Sequence, residues 1–126
     1  MTRSDVTFDL ESVVLRVHDL TAAVAWYRDA LGLSPTHVDE RARRAVFELG
    51  GASVVLWQLR PIDRELVVGY AGTFPRLATD DLELAWHQLR DRGVLVEPIA
   101  ASPAGRSFEL RDLDGNRLDV GERSAR

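Results

Sequence analysis

Cysteine and lysine are both missing from this chain of 126 residues. Without cysteine there is no disulfide framework and no thiol chemistry. Without lysine there is no Schiff base and no lysine general base; the sixteen basic residues are all arginine, which coding bias accounts for. No apolar run is long enough to cross a bilayer, and no basic and apolar leader is visible, so the expectation is a cytoplasmic protein without a membrane partner. Clustered basic charge is missing as well. A net charge of −4 with mixed signs offers no face for a nucleic-acid backbone, whose phosphates need grouped cations, so no nucleic-acid partner is expected.

What is present is enough for one domain, since 45% of the residues are apolar and can bury a core. The stretch from Arg106 to Glu122, RSFELRDLDGNRLDVGE, reads as a hairpin. Phe108 and Leu110 alternate with Ser107, Glu109 and Arg111, and Asp112 to Asn116 carry turn chemistry, with Gly115 suited to a left-handed backbone. This hairpin has an echo. Phe47-Glu48-Leu49 recurs as Phe108-Glu109-Leu110 at an offset of 61, and Leu56-Trp57 as Leu118-Asp119 at an offset of 62. Asp19-Leu20 matches Asp81-Leu82 at 62, and Gly32 matches Gly93 at 61. Repetition of this kind implies two copies of one supersecondary unit, neither able to bury its apolar face alone.

Each copy reads as strand, helix and three strands. Residues 1–9 are polar and expected to fray. Ser12 to Val17 form a strand, with Val13, Leu15 and Val17 on one face and Ser12, Val14 and Arg16 on the other. Asp19 or Thr21 caps a helix running from Thr21 to Leu31, and Gly32 ends it. Residues 36–42 hold a short second strand, and Arg43 to Leu49 and Ser53 to Leu59 a hairpin around Gly50-Gly51. Residues 61–69 are expected to link the first unit, about 10–60, to the second, about 70–122, and to form a mobile pocket rim. The second copy then gives a strand from Gly72 to Ala78, a helix from Leu82 to Arg92 started by Asp80 or Asp81, a short strand near Val94 to Pro98, and the closing hairpin.

The succession VVLRVHDLTAAVAWYRDALGL, FELGG and FELRDLDGNRLDV resembles the vicinal oxygen chelate superfamily, which includes glyoxalases, bleomycin-resistance proteins and extradiol dioxygenases. The similarity covers nearly the whole chain. It implies an α+β fold in which tandem βαβββ units make a cup-shaped, eight-stranded mixed sheet with helices outside. Enzymes of that superfamily hold a divalent metal through His or Glu at four related positions. Here those positions are Ser12, Trp57, Phe74 and Asp119, and a register shift of two would offer Gly72 in place of Phe74. Only Asp119 is a competent ligand, whereas such ions want three or more, so no metal and no cofactor is expected. His18, His37 and His87 read as ordinary surface histidines.

Strand parity gives the candidate concave surface: Ser12, Val14, Arg16, Val46, Glu48, Val55, Trp57, Phe74, Arg76, Ser107, Glu109, Arg117 and Asp119. Trp57 and Phe74 suit stacking on a planar ligand, and Arg16 and Arg76 suit a carboxylate. The competing readings are core packing or a dimer contact for Trp57, and an internal ion-pair network for Arg16, Arg76, Glu48 and Glu109. Trp26, Tyr27, Trp86, Phe47 and Phe108 go to the core or to helix surfaces. Three functions compete. The first is a metal-free protein that sequesters an aromatic drug or metabolite, as the bleomycin-resistance branch does, often as a homodimer. The second is a metal-free lyase or isomerase using Asp119, Glu109 or Glu48 as acid and base. The third is a relic without a ligand.

Overall fold

Each helix starts on an aspartate, and that placement shows how the repeat builds its two halves. Asp19 accepts from the Ala22 amide at 3.0 Å and Asp81 from the Leu84 amide at 3.1 Å, each satisfying a donor that the first helical turn leaves open. In the first helix, α1 (Leu20–Leu31), the Leu20 amide is also taken up, by the Gln58 side chain at 2.9 Å. Gly32 closes α1 with a left-handed cap. The second helix, α2, spans Leu82–Asp91.

The structure is a computed structural model describing residue 6 and residues 10–63 and 73–123. Most of residues 1–9, most of the expected linker and rim at 61–69, and Gly72 lie outside the described residues. Around the helices run eight strands: β1 (Ser12–Val17), β2 (His37–Asp39), β3 (Arg44–Leu49), β4 (Ala52–Gln58), β5 (Arg76–Thr79), β6 (Ala100–Ser102), β7 (Gly105–Arg111) and β8 (Arg117–Glu122). They form two four-stranded mixed sheets, ordered β1-β4-β3-β2 and β5-β8-β7-β6. In each, the first and last strands of the unit pair in parallel and the hairpins pair antiparallel. The fold is thus α+β with eight strands, as expected, but among the described residues no ladder joins β1 to β5 into one continuous sheet.

Two elements sit elsewhere than the sequence pattern suggests. Residues 94–98 supply only an isolated bridge, Val96 to Leu110, and the strand of this unit is β6, six residues beyond Val94. The second unit's first strand begins at Arg76 rather than Gly72.

One face of both sheets is apolar and covered. Leu15, Val17, Phe47, Leu56, Phe108, Leu110 and Leu118 join Tyr27 and Leu89 of the helices in a single core cluster. Burying each large side chain contributes about 1.5–3 kcal/mol, so this shared core is what binds the two halves. Since α1 packs on β3 and β4 and α2 on β8, the other face of each sheet is left open. Any site built by strand parity has to lie there.

Candidate functional site

On the open face of the first sheet, register brings together Ser12, Val14 and Arg16 of β1, Ser53, Val55 and Trp57 of β4, and Arg44, Val46 and Glu48 of β3. The parity read from sequence therefore holds for all seven first-sheet candidates. Trp57 is the largest group on this face and is 39% exposed. Its indole N–H donates to the Ala42 carbonyl at 3.1 Å, which fixes the ring. In register on either side stand Arg16 and Arg44, each with its guanidinium carbon 5.5 Å from the indole centroid. That is cation–π range. Arg16 is held by the Trp57 and Gln58 carbonyls. Core packing, the competing reading for Trp57, does not fit this exposure. Arg44 was missed by the sequence argument, although it shares the parity of Val46 and Glu48.

The open face of the second sheet has different chemistry. Arg117 donates to both carboxylate oxygens of Asp119, at 2.9 and 3.2 Å, and lies 3.2 Å from Glu109, which also meets Arg111 at 3.1 Å. Asp119, hydrogen-bonded by Arg117, is itself buried. These pairs raise the Arg117 pKa, first through Asp119. For Glu109 the ion-pair reading is what the structure shows, and Asp119 and Arg117 belong to the same network. Phe74, expected as a free stacking surface, has the Arg117 guanidinium 3.8 Å from its ring centroid, so one ring face is already covered. Arg76 stands beside Asp119 in the ladder without an ion pair among the described residues. Ser107 lies opposite Gly121 on the same face.

Register also corrects one equivalence. Val14 pairs with Val55, and Arg76, 62 residues on from Val14, pairs with Asp119. The counterpart of Asp119 is Val55, and that of Trp57 is Gly121. The physical reason is loop length: the first hairpin turns in two residues, Gly50 and Gly51, and the last in five, Asp112 to Asn116, so no single offset fits both strands. A shift of two preserves parity, which is why Trp57 still faces outward.

That longer turn has a role the sequence did not disclose. Asp112 is buried, and its carboxylate accepts from the Asp114 and Asn116 amides at 2.9 and 2.8 Å, from the Asn116 side chain at 3.1 Å, and from the Tyr27 hydroxyl of α1 at 2.7 Å. Asn116 reaches the Arg16 carbonyl at 3.0 Å, and Asp114 takes both the His18 amide and its ring nitrogen. Burial pushes the Asp112 carboxyl above its ordinary range against these hydrogen bonds, and pushes the Tyr27 hydroxyl up strongly as well. His18, expected as an ordinary surface residue, is exposed but belongs to this clasp between the halves.

A family model described as the Glyoxalase/Bleomycin resistance protein/Dioxygenase superfamily matches residues 9–120. The chain belongs to this superfamily. Among solved structures of similar fold is a glyoxalase/bleomycin resistance protein from Catenulispora acidiphila, 28% identical, covering 92% of this chain and all of that one, with a TM-score of 0.68. Another is the bleomycin-binding protein of bleomycin-producing Streptomyces verticillus, complexed with copper(II)-bleomycin, at 22% identity and TM-score 0.70, covering 95% of this chain and 100% of that one. A third is TnmS3, an antibiotic-binding protein of a Streptomyces species, at 21% identity and TM-score 0.75, covering 96% and 100%. No curated protein gives a significant sequence match.

The metal positions of superfamily enzymes do not fit a metal here. Ser12, Phe74 and either Trp57 or its register-corrected neighbour Val55 lack ligand atoms of the usual kind, and Asp119 is engaged by Arg117. Among the described residues no three His, Asp or Glu side chains converge as a metal centre requires. The first sheet offers stacking and cationic contact instead, and the second a set of mutually neutralised charges.

Proposed function

We propose that the protein is a metal-independent small-molecule binder that holds a planar aromatic drug or metabolite against Trp57, with Arg16 and Arg44 alongside. The observation that carries this reading is the pinned, part-exposed indole between two guanidiniums on an otherwise open face. Covering the exposed part of such a ring is worth about 2 kcal/mol from area alone, and stacking adds about 1 kcal/mol. Val14, Val46 and Val55 supply apolar contact around it, and Ser12 and Glu48 polar contact at its edge. On the second sheet Phe74, Arg76, Glu109 and Asp119 remain candidates for a ligand that reaches that far.

The antibiotic-binding relatives support the class of function, and the commitment of Asp119 and Glu109 to arginine partners favours binding over acid and base catalysis. The protein is further proposed to be cytoplasmic and to act as a homodimer, the open faces being what a second copy would help enclose. Sedimentation at micromolar concentration should give twice the chain mass.

Calorimetric titration with bleomycin-type, quinone-type and enediyne-type compounds, with and without a chelator, tests the reading. At least one should bind equally in both conditions and be recovered chemically unchanged. If the compounds that bind are instead converted, and Asp119→Asn or Glu109→Gln abolishes conversion while Trp57→Ala does not, the enzyme takes the place of the binder.

A further inference from the structure

Residues four apart on a strand share a face yet stand about 13 Å apart at the backbone. On the open face of β3 that spacing separates two opposite charges, Arg44 and Glu48. Register extends them into the two ends of a platform. Arg16, Trp57 and Arg44 form one row across β1, β4 and β3, then Val14, Val55 and Val46 the next, and Ser12, Ser53 and Glu48 the third. Successive rows lie about 7 Å apart. The face therefore runs from aromatic and basic, through apolar, to hydroxyl and acid.

Both end charges are unspent. Among the described residues Arg44 makes no hydrogen bond and no ion pair, and interacts with the Trp57 ring instead. Asp39, opposite it on β2, is turned to the Ala42 amide at 3.0 Å. The Glu48 carboxylate also has no partner among the described residues, since the Thr36 hydroxyl meets only the Glu48 backbone amide, at 3.2 Å. Arg16 differs, because the Trp57 and Gln58 carbonyls engage it. The carboxylate whose charge is felt there, Asp63, pairs with Arg60 at 2.6 Å. Between the two ends the valine row stays accessible, Val14 being 45% exposed, with His37 bordering it from β2. One cation and one anion are thus left free at opposite ends of an apolar floor.

We propose that this face fixes the polarity of the ligand: an elongated, fused-ring aromatic acid carrying an amine at its far end, with the carboxylate at Arg44, the rings over Trp57 and the valines, and the ammonium group at Glu48. The Ser12 and Ser53 hydroxyls stand in the same row as Glu48 and can accept from the ammonium N–H groups. This rests on Trp57 as the aromatic platform and adds the identity and order of the ligand's polar ends.

The full chain is titrated by calorimetry with an anthracene that carries a carboxylate at one end and an aminomethyl group at the other, and in parallel with its methyl ester and its N-acetyl derivative. The parent compound should bind at least about threefold more tightly than either derivative, the gain expected of an exposed ion pair at each end. Arg44→Gln should erase the preference over the ester and keep the preference over the N-acetyl compound. Glu48→Gln should do the reverse. Both side chains are exposed, so both variants should fold. Trp57→Ala should weaken all three compounds about tenfold. Equal affinity of the three compounds for the unaltered chain, failure of all three to bind, or preferences that survive Arg44→Gln and Glu48→Gln would overturn the proposal while leaving Trp57 as the platform for other aromatic ligands. Binding of all three that Trp57→Ala does not weaken would instead overturn the platform itself, and the proposal with it.

Discussion

The first sheet presents an indole between two arginines, and the second presents an arginine between two carboxylates. Both faces arise from the same strand, helix and three-strand unit, with the same cap at each helix start. The difference shows that duplication preserves the scaffold's parity and caps while leaving each face free to take its own chemistry. On one face charge is left for an incoming group, and on the other it is spent within the protein. The seams between the halves differ in the same way: a buried polar clasp closes one, and a cavity of about 770 Å³, bordered by Gly50, Ala78, Gln88 and Leu89, marks the other.

The largest effect should come from breaking the clasp. Asp112→Ala removes the acceptor for the Tyr27 hydroxyl, the Asn116 side chain and the Asn116 amide, all buried, and for the half-buried Asp114 amide. Leaving such donors unpaired costs roughly 3 kcal/mol in total, measured as a shift of the urea midpoint. Removal of Gln88 at the open seam, as Gln88→Ala, should change stability by less than about 0.5 kcal/mol. Similar losses at both seams would remove the distinction between them.

How much of this was legible beforehand differs between the two faces. Alternation is enforced by the strand's period of two, so Ser12, Val14 and Arg16 could be placed opposite Val13, Leu15 and Val17 without coordinates. Asp19, Asp81 and Gly32 announced helix ends because their side-chain or backbone chemistry acts locally. Arg44 was within reach of the same parity argument. Pairing across strands was not local, and so the Trp57 and Asp119 equivalence slipped by two when the turns differed in length. The choice between ligand contact and ion pair for Glu109 depended on which arginine its neighbour strand placed opposite, which no single strand reveals. Asp112 read as a turn residue, and its link to Tyr27 spans 85 positions.

A smaller effect separates the two faces in function. Trp57→Ala should weaken aromatic-ligand binding about tenfold or more, near 1.4 kcal/mol, with little change in stability because the ring is part exposed. Arg44→Gln should weaken an anionic aromatic ligand more than a neutral one, by about threefold, in line with an exposed ion pair of about 0.2–1 kcal/mol. Calorimetry on paired neutral and acidic analogues would register it. The smallest effect belongs to the second face: Glu109→Gln removes the charge of a half-buried member of the network while Asp119 still pairs with Arg117, and should alter both stability and ligand affinity by less than about 1 kcal/mol. A tenfold loss of affinity there would mean that the second face, not the first, carries the ligand.

The most direct test of that assignment is tryptophan emission in a protein whose Trp26 and Trp86 are replaced by phenylalanine, leaving Trp57 as the sole indole. Titration with a bound aromatic drug should quench the emission saturably, at the affinity found by calorimetry, with the drug recovered intact. Undisturbed Trp57 emission at full occupancy by calorimetry would contradict the account.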